Sequence, residues 1–252
     1  MRWGWLCLLL LVQTALAAEA RDPLDSARWE DMRRQFFPGQ AVMFDDRVKV
    51  TAPKFAEDSM NVPVLVDAEG LHDVKEIVVF ADFNPILKIL EFFPEQAKPF
   101  LTFRFKLQQA SPVRAAARTA DGVWHVGGTW VDAAGGGCTA PGAGRNAGGW
   151  EKVLNDVNGR MWAEPDAGRR VRVRVMHPMD TGLAPGIPAF FIERLVLEDD
   201  AGTAYLRLNT FEPVAENPIF TFDLPAGARP AGALVLSGAD NNGNRIAARI
   251  TP

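Results

Sequence analysis

The chain has 252 residues, 48% of them hydrophobic and 23% charged, and its 27 Lys and Arg against 31 Asp and Glu give a formal net charge of −4. That balance leaves no basic excess, which argues against nucleic-acid binding driven by counterion release. The apolar share is enough for a packed core, in one large domain or two small ones.

The chain opens as an export signal over residues 1–18. Arg2 supplies the positive start, Trp5 to Val12 the short apolar stretch, and Ala15-Leu16-Ala17 the small-x-small pattern before cleavage. The apolar run is well short of the ~20 residues that a spanning helix needs, so no membrane span is expected. Cys7 leaves with the signal, which makes Cys138 the only thiol of the exported chain. In an oxidising compartment such as the periplasm cysteines are normally paired, and a lone one calls for a reason.

From Ser26, the spacing of Trp29, Met32 and Phe36 predicts a short helix, stopped by Pro38-Gly39 and lying as a lid on a sandwich edge. The period then changes to two. Short strands follow at Val48–Val50, Val62–Val66 and Ile77–Phe80. The clearest is Leu101–Leu107, in which apolar and polar residues alternate without exception. Val113–Thr119 and Val123–Val131 read as a hairpin around Asp121-Gly122. The run GGGCTAPGAGRNAGG over residues 135–149 has little to bury and reads as a mobile arm. Trp150, Val153, Leu154 and Val157 then predict a helix ending at Asn158-Gly159, within a helical linker over residues 150–167. Strands return at Val171–Val175, Phe190–Leu197, Tyr205–Leu208, Ile219–Phe222, Ala233–Leu236 and Arg245–Ile250, with hairpin turns at Asp200-Ala201-Gly202 and Asn242-Gly243. The expected architecture is all-β: two immunoglobulin-like sandwiches, residues 23–134 with the N-terminal helix and residues 168–252, joined by the arm and the short helix.

Chemistry concentrates on Cys138. A free thiol has a pKa near ~8.5, and reaction then depends on access. Gly135, Gly136, Gly137, Gly142 and Gly144 remove bulk around the sulfur and favour an arm with a reach of ~15 Å that enters a partner's cleft. The alternatives are an incidental linker cysteine or a hydrolase nucleophile served by His72, His125 or His177. None of these histidines sits in a nucleophile signature, and a pliable segment is poorly preorganised for catalysis. One cysteine and three scattered histidines show no ligand spacing, so no metal or cofactor is expected. Asp180 and Asp199 read as part of solvated faces.

Several segments resemble the bacterial sulfur-carrier proteins SoxY and SoxZ. VRVRVMHPMDTGL (Val171 to Leu183), PAFFIERLVLE (Pro188 to Glu198), AENPIFTF (Ala215 to Phe222) and the strand after DNNGN (Asp240 to Asn244) are similar to SoxZ. VKEIVVFADFNP (Val74 to Pro85), LTFRFKLQQASPVRAAART (Leu101 to Thr119) and the glycine-flanked cysteine are similar to SoxY. In that family SoxY holds intermediates on the thiol of a C-terminal GGCGG arm. The resemblance therefore implies Cys138 as a covalent carrier, preceded by the matching Gly136 and Gly137, in a protein without an active site of its own. His177, Pro178 and Met179 match the SoxZ motif and read as structure or interface.

Thr139-Ala140-Pro141 replaces the two following glycines, and the arm is tethered at both ends. The fused arrangement is similar to SoxYZ-like carriers associated with quinoprotein dehydrogenases. The implied partners are periplasmic sulfur-oxidation enzymes and c-type cytochromes, or such a dehydrogenase. The alternative is a non-covalent accessory module of a quinoprotein dehydrogenase and cytochrome system. The two sandwiches are expected to pack on each other within the chain, in place of a heterodimer.

Overall fold

The structure is a computed structural model that describes residues 21–142, 149–228 and 233–251. The expected signal and Gly144 lie outside them. In chain order come the helix α1 (Trp29–Phe36) and the strands β1 (Val42–Phe44), β2 (Lys49–Thr51), β3 (Phe55–Ala56), β4 (Val62–Asp67), β5 (Val74–Ala81), β6 (Lys88–Phe93), β7 (Phe100–Phe105), β8 (Ser111–Thr119) and β9 (Trp124–Ala133). The second half holds β10 (Val157–Ala163), β11 (Arg169–Val175), β12 (Asp180–Thr181), β13 (Ala189–Phe190), β14 (Ile192–Asp199), β15 (Ala204–Thr210), β16 (Ile219–Leu224), β17 (Leu234–Asp240) and β18 (Arg245–Ile250). Among the described residues, no helix is long and apolar enough to cross a membrane.

Alternation places the strands. In β7, Leu101, Phe103 and Phe105 point inward and Arg104 outward; in β11, Val171, Val173 and Val175 are buried while Arg172 and Arg174 are exposed. The strands form two large sheets. One runs β1-β9-β8-β5-β6-β15-β14-β17-β18, with β3 also on β9, and the other runs β10-β11-β16-β7-β4-β2.

Both sheets cross the boundary between the halves. β6 pairs antiparallel with β15, from Leu90 opposite Thr210 to Phe93 opposite Arg207, and β7 pairs with β16 at Leu101–Phe222 and Thr102–Thr221. The halves are therefore merged edge to edge, beyond the expected packing of one sandwich on another. One apolar core runs through both, with Ile89, Phe92 and Phe105 of the first half joined to Leu206, Phe220 and Phe222 of the second.

The helix α1 lies on a sheet face, not on an edge. Trp29, Met32 and Phe37 cover Val78, Phe80, Ala116, Trp124 and Val126 on β5, β8 and β9. This explains why β5 is buried continuously from Ile77 to Ala81: alternate residues face the sandwich and the helix. On the helix side, Arg114 of β8 is 1% exposed and bridges Asp82 at 2.9 Å and Asp22 at 2.7 Å. Burial pushes the Asp22 carboxyl up, but Arg114 and the Ser26 and Leu24 amides outweigh it, and its pKa falls below the ordinary value.

The helix expected after Trp150 is replaced by a single 3-10 turn, Trp150–Lys152, followed by β10. A helix of two turns is marginal by itself. Pairing all seven residues of β10 with β11 satisfies one side of that strand's backbone instead. Gly159 belongs to β10, where a Cβ would stand 2.6 Å from Ile250 Cγ1.

Phe92 is fully buried and stacks on Phe222 across the join, with ring centroids 5.8 Å apart. Phe92→Ala is expected to cost about 3–5 kcal/mol. Urea unfolding followed by tryptophan fluorescence and by circular dichroism should still show one coincident transition, because the sheets are shared. Two separate transitions would mean that the halves fold independently.

Candidate functional site

After β9 the chain reverses at Gly135 (φ 104°) and Gly136 (φ 87°), backbone shapes that favour glycine. The Gly136 amide donates to Gln108 O at 3.0 Å and the Gly137 amide to Leu107 O at 3.2 Å, which fastens the segment to the chain just beyond β7. Gly137 has no room for a side chain: a Cβ would stand 2.1 Å from Ser59 O and 2.7 Å from Leu107 O. The amides of Thr139 and Ala140 then close a turn onto Gly136 O. Gly142 is buried, and a Cβ there would lie 2.9 Å from Glu216 Oε2.

Cys138 is consequently 0% exposed, although Thr139 beside it reaches solvent. Its Sγ donates to Lys106 O at 3.4 Å, and its amide donates to Gln108 Oε1 at 3.1 Å. Asn84 supports the same cradle, with Nδ2 donating to Lys106 O and Oδ1 accepting from the Gln108 amide, each at 2.9 Å. The expected pliable arm with an exposed thiol is thus corrected for residues 135–142. Glycine serves here for tight turns and close backbone approach, and side-chain hydrogen bonds hold the turn.

The second half supplies the other wall. The Thr181 hydroxyl donates to Cys138 O at 2.5 Å, and the Lys106 ammonium donates to Met179 O. His177, Pro178 and Met179, singled out by the SoxZ resemblance, are all buried here. The His177 amide donates to Asn217 Oδ1 at 3.1 Å, its Nδ1 accepts from the Met179 amide at 3.0 Å, and its Nε2 lies 3.6 Å from Asp240 Oδ2. Met179 takes a positive φ of 51°, and its sulfur accepts the Ile192 amide at 3.3 Å. The motif therefore forms an interface wall. His125, one of the three histidines weighed as a partner for a nucleophile, is buried and held by Asp45 at 2.7 Å and by the Thr119 hydroxyl.

Electrostatics keeps the thiol neutral. Burial pushes Cys138 up to about 11, with Lys106 pulling weakly the other way. Burial likewise pushes Lys106 down to about 8, against Asp180, Cys138 and Glu216. Lys106 is 2% exposed and Asp180 4% exposed, so neither is the solvated charge that strand alternation suggests. Sequence reading missed both, and the sequence held no signal for Lys106: apolar and polar residues alternate unbroken through Leu107, and only the fold ends β7 at Phe105 and buries the lysine that follows.

Fold and site together define an all-β protein made of two merged parts that enclose one cysteine at their join. Residues 33–138 match the family model "Sulfur oxidation protein SoxY", ending on Cys138 itself, and residues 160–251 match "Sulphur oxidation protein SoxZ". The chain belongs to these two families of sulfur-oxidation proteins in tandem, the two matched regions together spanning most of its length. Among solved structures it is similar to the sulfur carrier protein SoxY from Chlorobium limicola f thiosulfatophilum, at 18% identity and a TM-score of 0.37, over 42% of this chain and 96% of that one. No curated protein matches the chain.

Two measurements check this geometry. Alkylation of Cys138 at pH 8 should be much slower in the native chain than in the urea-unfolded one, where the thiol returns to its ordinary pKa; the raised native value keeps the thiolate scarce until about pH 11. Gly137→Ala should loosen the turn and raise the native alkylation rate at least about tenfold while costing ~1–3 kcal/mol of stability. Equal native and unfolded rates would contradict the buried placement.

Proposed function

We propose that the chain is a periplasmic, non-enzymatic carrier that binds sulfur-containing intermediates covalently on Cys138, and that the thiol is sequestered at rest. The observation that carries this reading is where the sulfur sits. The one thiol of the exported chain lies at the seam between the SoxY and SoxZ parts, in a turn held by the Gln108 and Thr181 side chains and by backbone bonds to Leu107, Gln108 and Gly136, none of which belongs to a sheet.

Such a turn opens without breaking a sheet. Loading follows as oxidative conjugation at a partner. The thiol loses its proton to solvent, its sulfur bonds to the sulfane sulfur of thiosulfate or a related anion, and two electrons leave to a c-type cytochrome. Residues 150–156 then connect the arm to β10, the first strand of the SoxZ part.

Full burial and the raised thiol pKa favour a second reading, a non-covalent accessory module of a quinoprotein dehydrogenase and cytochrome c system. One experiment separates the two. Chain isolated from cells oxidising reduced sulfur should show, by intact mass, an adduct that Cys138→Ser lacks, and the variant should lose sulfur-dependent growth. An adduct-free wild type together with a fully functional variant would leave the accessory module standing.

A further inference from the structure

The outer face of the sheet β10-β11-β16-β7-β4-β2 concentrates positive charge that the composition conceals. Arg104 of β7, Arg172 and Arg174 of β11 and Arg160 of β10 all point outward and are exposed. Among the described residues, none of the four has an acidic partner. Their neighbours on the same face do: Arg170 is paired with Asp223 at 2.7 Å and Lys49 with Asp67 at 3.9 Å.

Arg160 and Arg172 stand directly opposite each other in register, an arrangement that is destabilising for like charges unless an anion lies between or above them. Beside them is a groove of about 610 Å³, lined by Arg104 and Arg172 with Pro63, Leu65, Ile219 and Thr221. Arginine, threonine and apolar side chains lining one groove suit a protein surface.

The spacing sets the size of the ligand. β7 and β10 are separated by β16 and β11, three interstrand steps or ~14 Å, so the arginines outreach a single small oxyanion. A run of carboxylates matches that span.

The face also has a direction. β7 and β11 both run antiparallel to β16 and therefore end at the same rim. β7 leads from Arg104 to Lys106, whose carbonyl holds the Cys138 sulfur, and β11 leads from Arg174 toward His177 and Met179.

We propose that this arginine face docks an exposed cluster of Asp and Glu on a partner protein and so sets that partner beside the outlet of Cys138. Only the partner's identity, as the protein that loads or unloads the thiol, rests on the carrier reading; docking itself does not require the sulfur.

The test uses the purified chain and a fluorescein-labelled oligoglutamate peptide, read by anisotropy. Wild type should bind, and raising salt from about 0.05 to 0.3 M should abolish most of the binding. A variant with Arg104, Arg160, Arg172 and Arg174 all changed to Gln should bind at least about tenfold more weakly with a melting temperature no lower than that of wild type, while Lys75→Gln on the other sheet should bind as wild type. Equal binding by wild type and the fourfold variant overturns the proposal. So does stoichiometric displacement by sodium sulfate at matched ionic strength, which would mark a small-oxyanion site. Tighter retention on anionic phospholipid vesicles than on the peptide would also overturn it, in favour of a membrane. Cys138→Ser should keep wild-type peptide affinity, so a missing adduct would remove the carrier reading and leave docking intact.

Discussion

Strand pairing across the middle of the chain, β6 with β15 and β7 with β16, is the constraint on which the rest depends. An open sheet edge presents unpaired amides and carbonyls, and each half would carry two such edges if it stood alone. Joining them removes the edges and makes the core continuous from Ile77 to Leu236. It also fixes the position of Cys138. Lys106, just past the end of β7, holds the sulfur from one side, while Thr181 and Met179 close from the other, and their relative placement is as firm as the hydrogen bonds of the join.

Local pattern was enough to read most of the fold. Strict alternation marked β7 and β11, and Asp121-Gly122 and Asn242-Gly243 lie at the tight connections of β8 to β9 and β17 to β18. Strand order was not legible, because pairing of Leu101 with Phe222 is a fact about residues more than a hundred positions apart. Glycine was the ambiguous letter. Gly137 reads equally as freedom or as close approach, and only the presence of Ser59 O and Leu107 O decides between them. The same holds for charge: Arg104, Arg160, Arg172 and Arg174 look like ordinary solvated positions along the chain, and become a patch only when four strands bring them to one face. The helix expected after Trp150 failed because an amphipathic window of two turns competes poorly with a strand partner such as β11.

The cradle favours uncharged forms of both its titratable members. Relative to ordinary values, burial lowers Lys106 to about 8 and raises Cys138 to about 11. Between about pH 8 and 10.5 the unfolded chain holds a lysine proton that the native chain has shed, so this group adds stability as pH rises. Between about pH 9 and 11 the native thiol keeps a proton that the unfolded one has lost, so the cysteine removes stability over that window. The two oppose each other, and at neutral pH the site holds a protonated lysine beside an un-ionised thiol. A nucleophile kept in this state is protected against indiscriminate oxidation.

The connection that contains Cys138 is anchored twice, by β9 in one sheet and β10 in the other. A sulfur that leaves its seat on such a connection remains attached to both rims and returns by local diffusion alone. Closing a ten-residue loop takes on the order of 10–100 ns, and the cost of closure grows only slowly with length for the 23 residues between β9 and β10, whereas two separate subunits would have to find each other again at whatever concentration the cell maintains. Fusion of the halves thus makes re-sheltering a first-order event, independent of dilution.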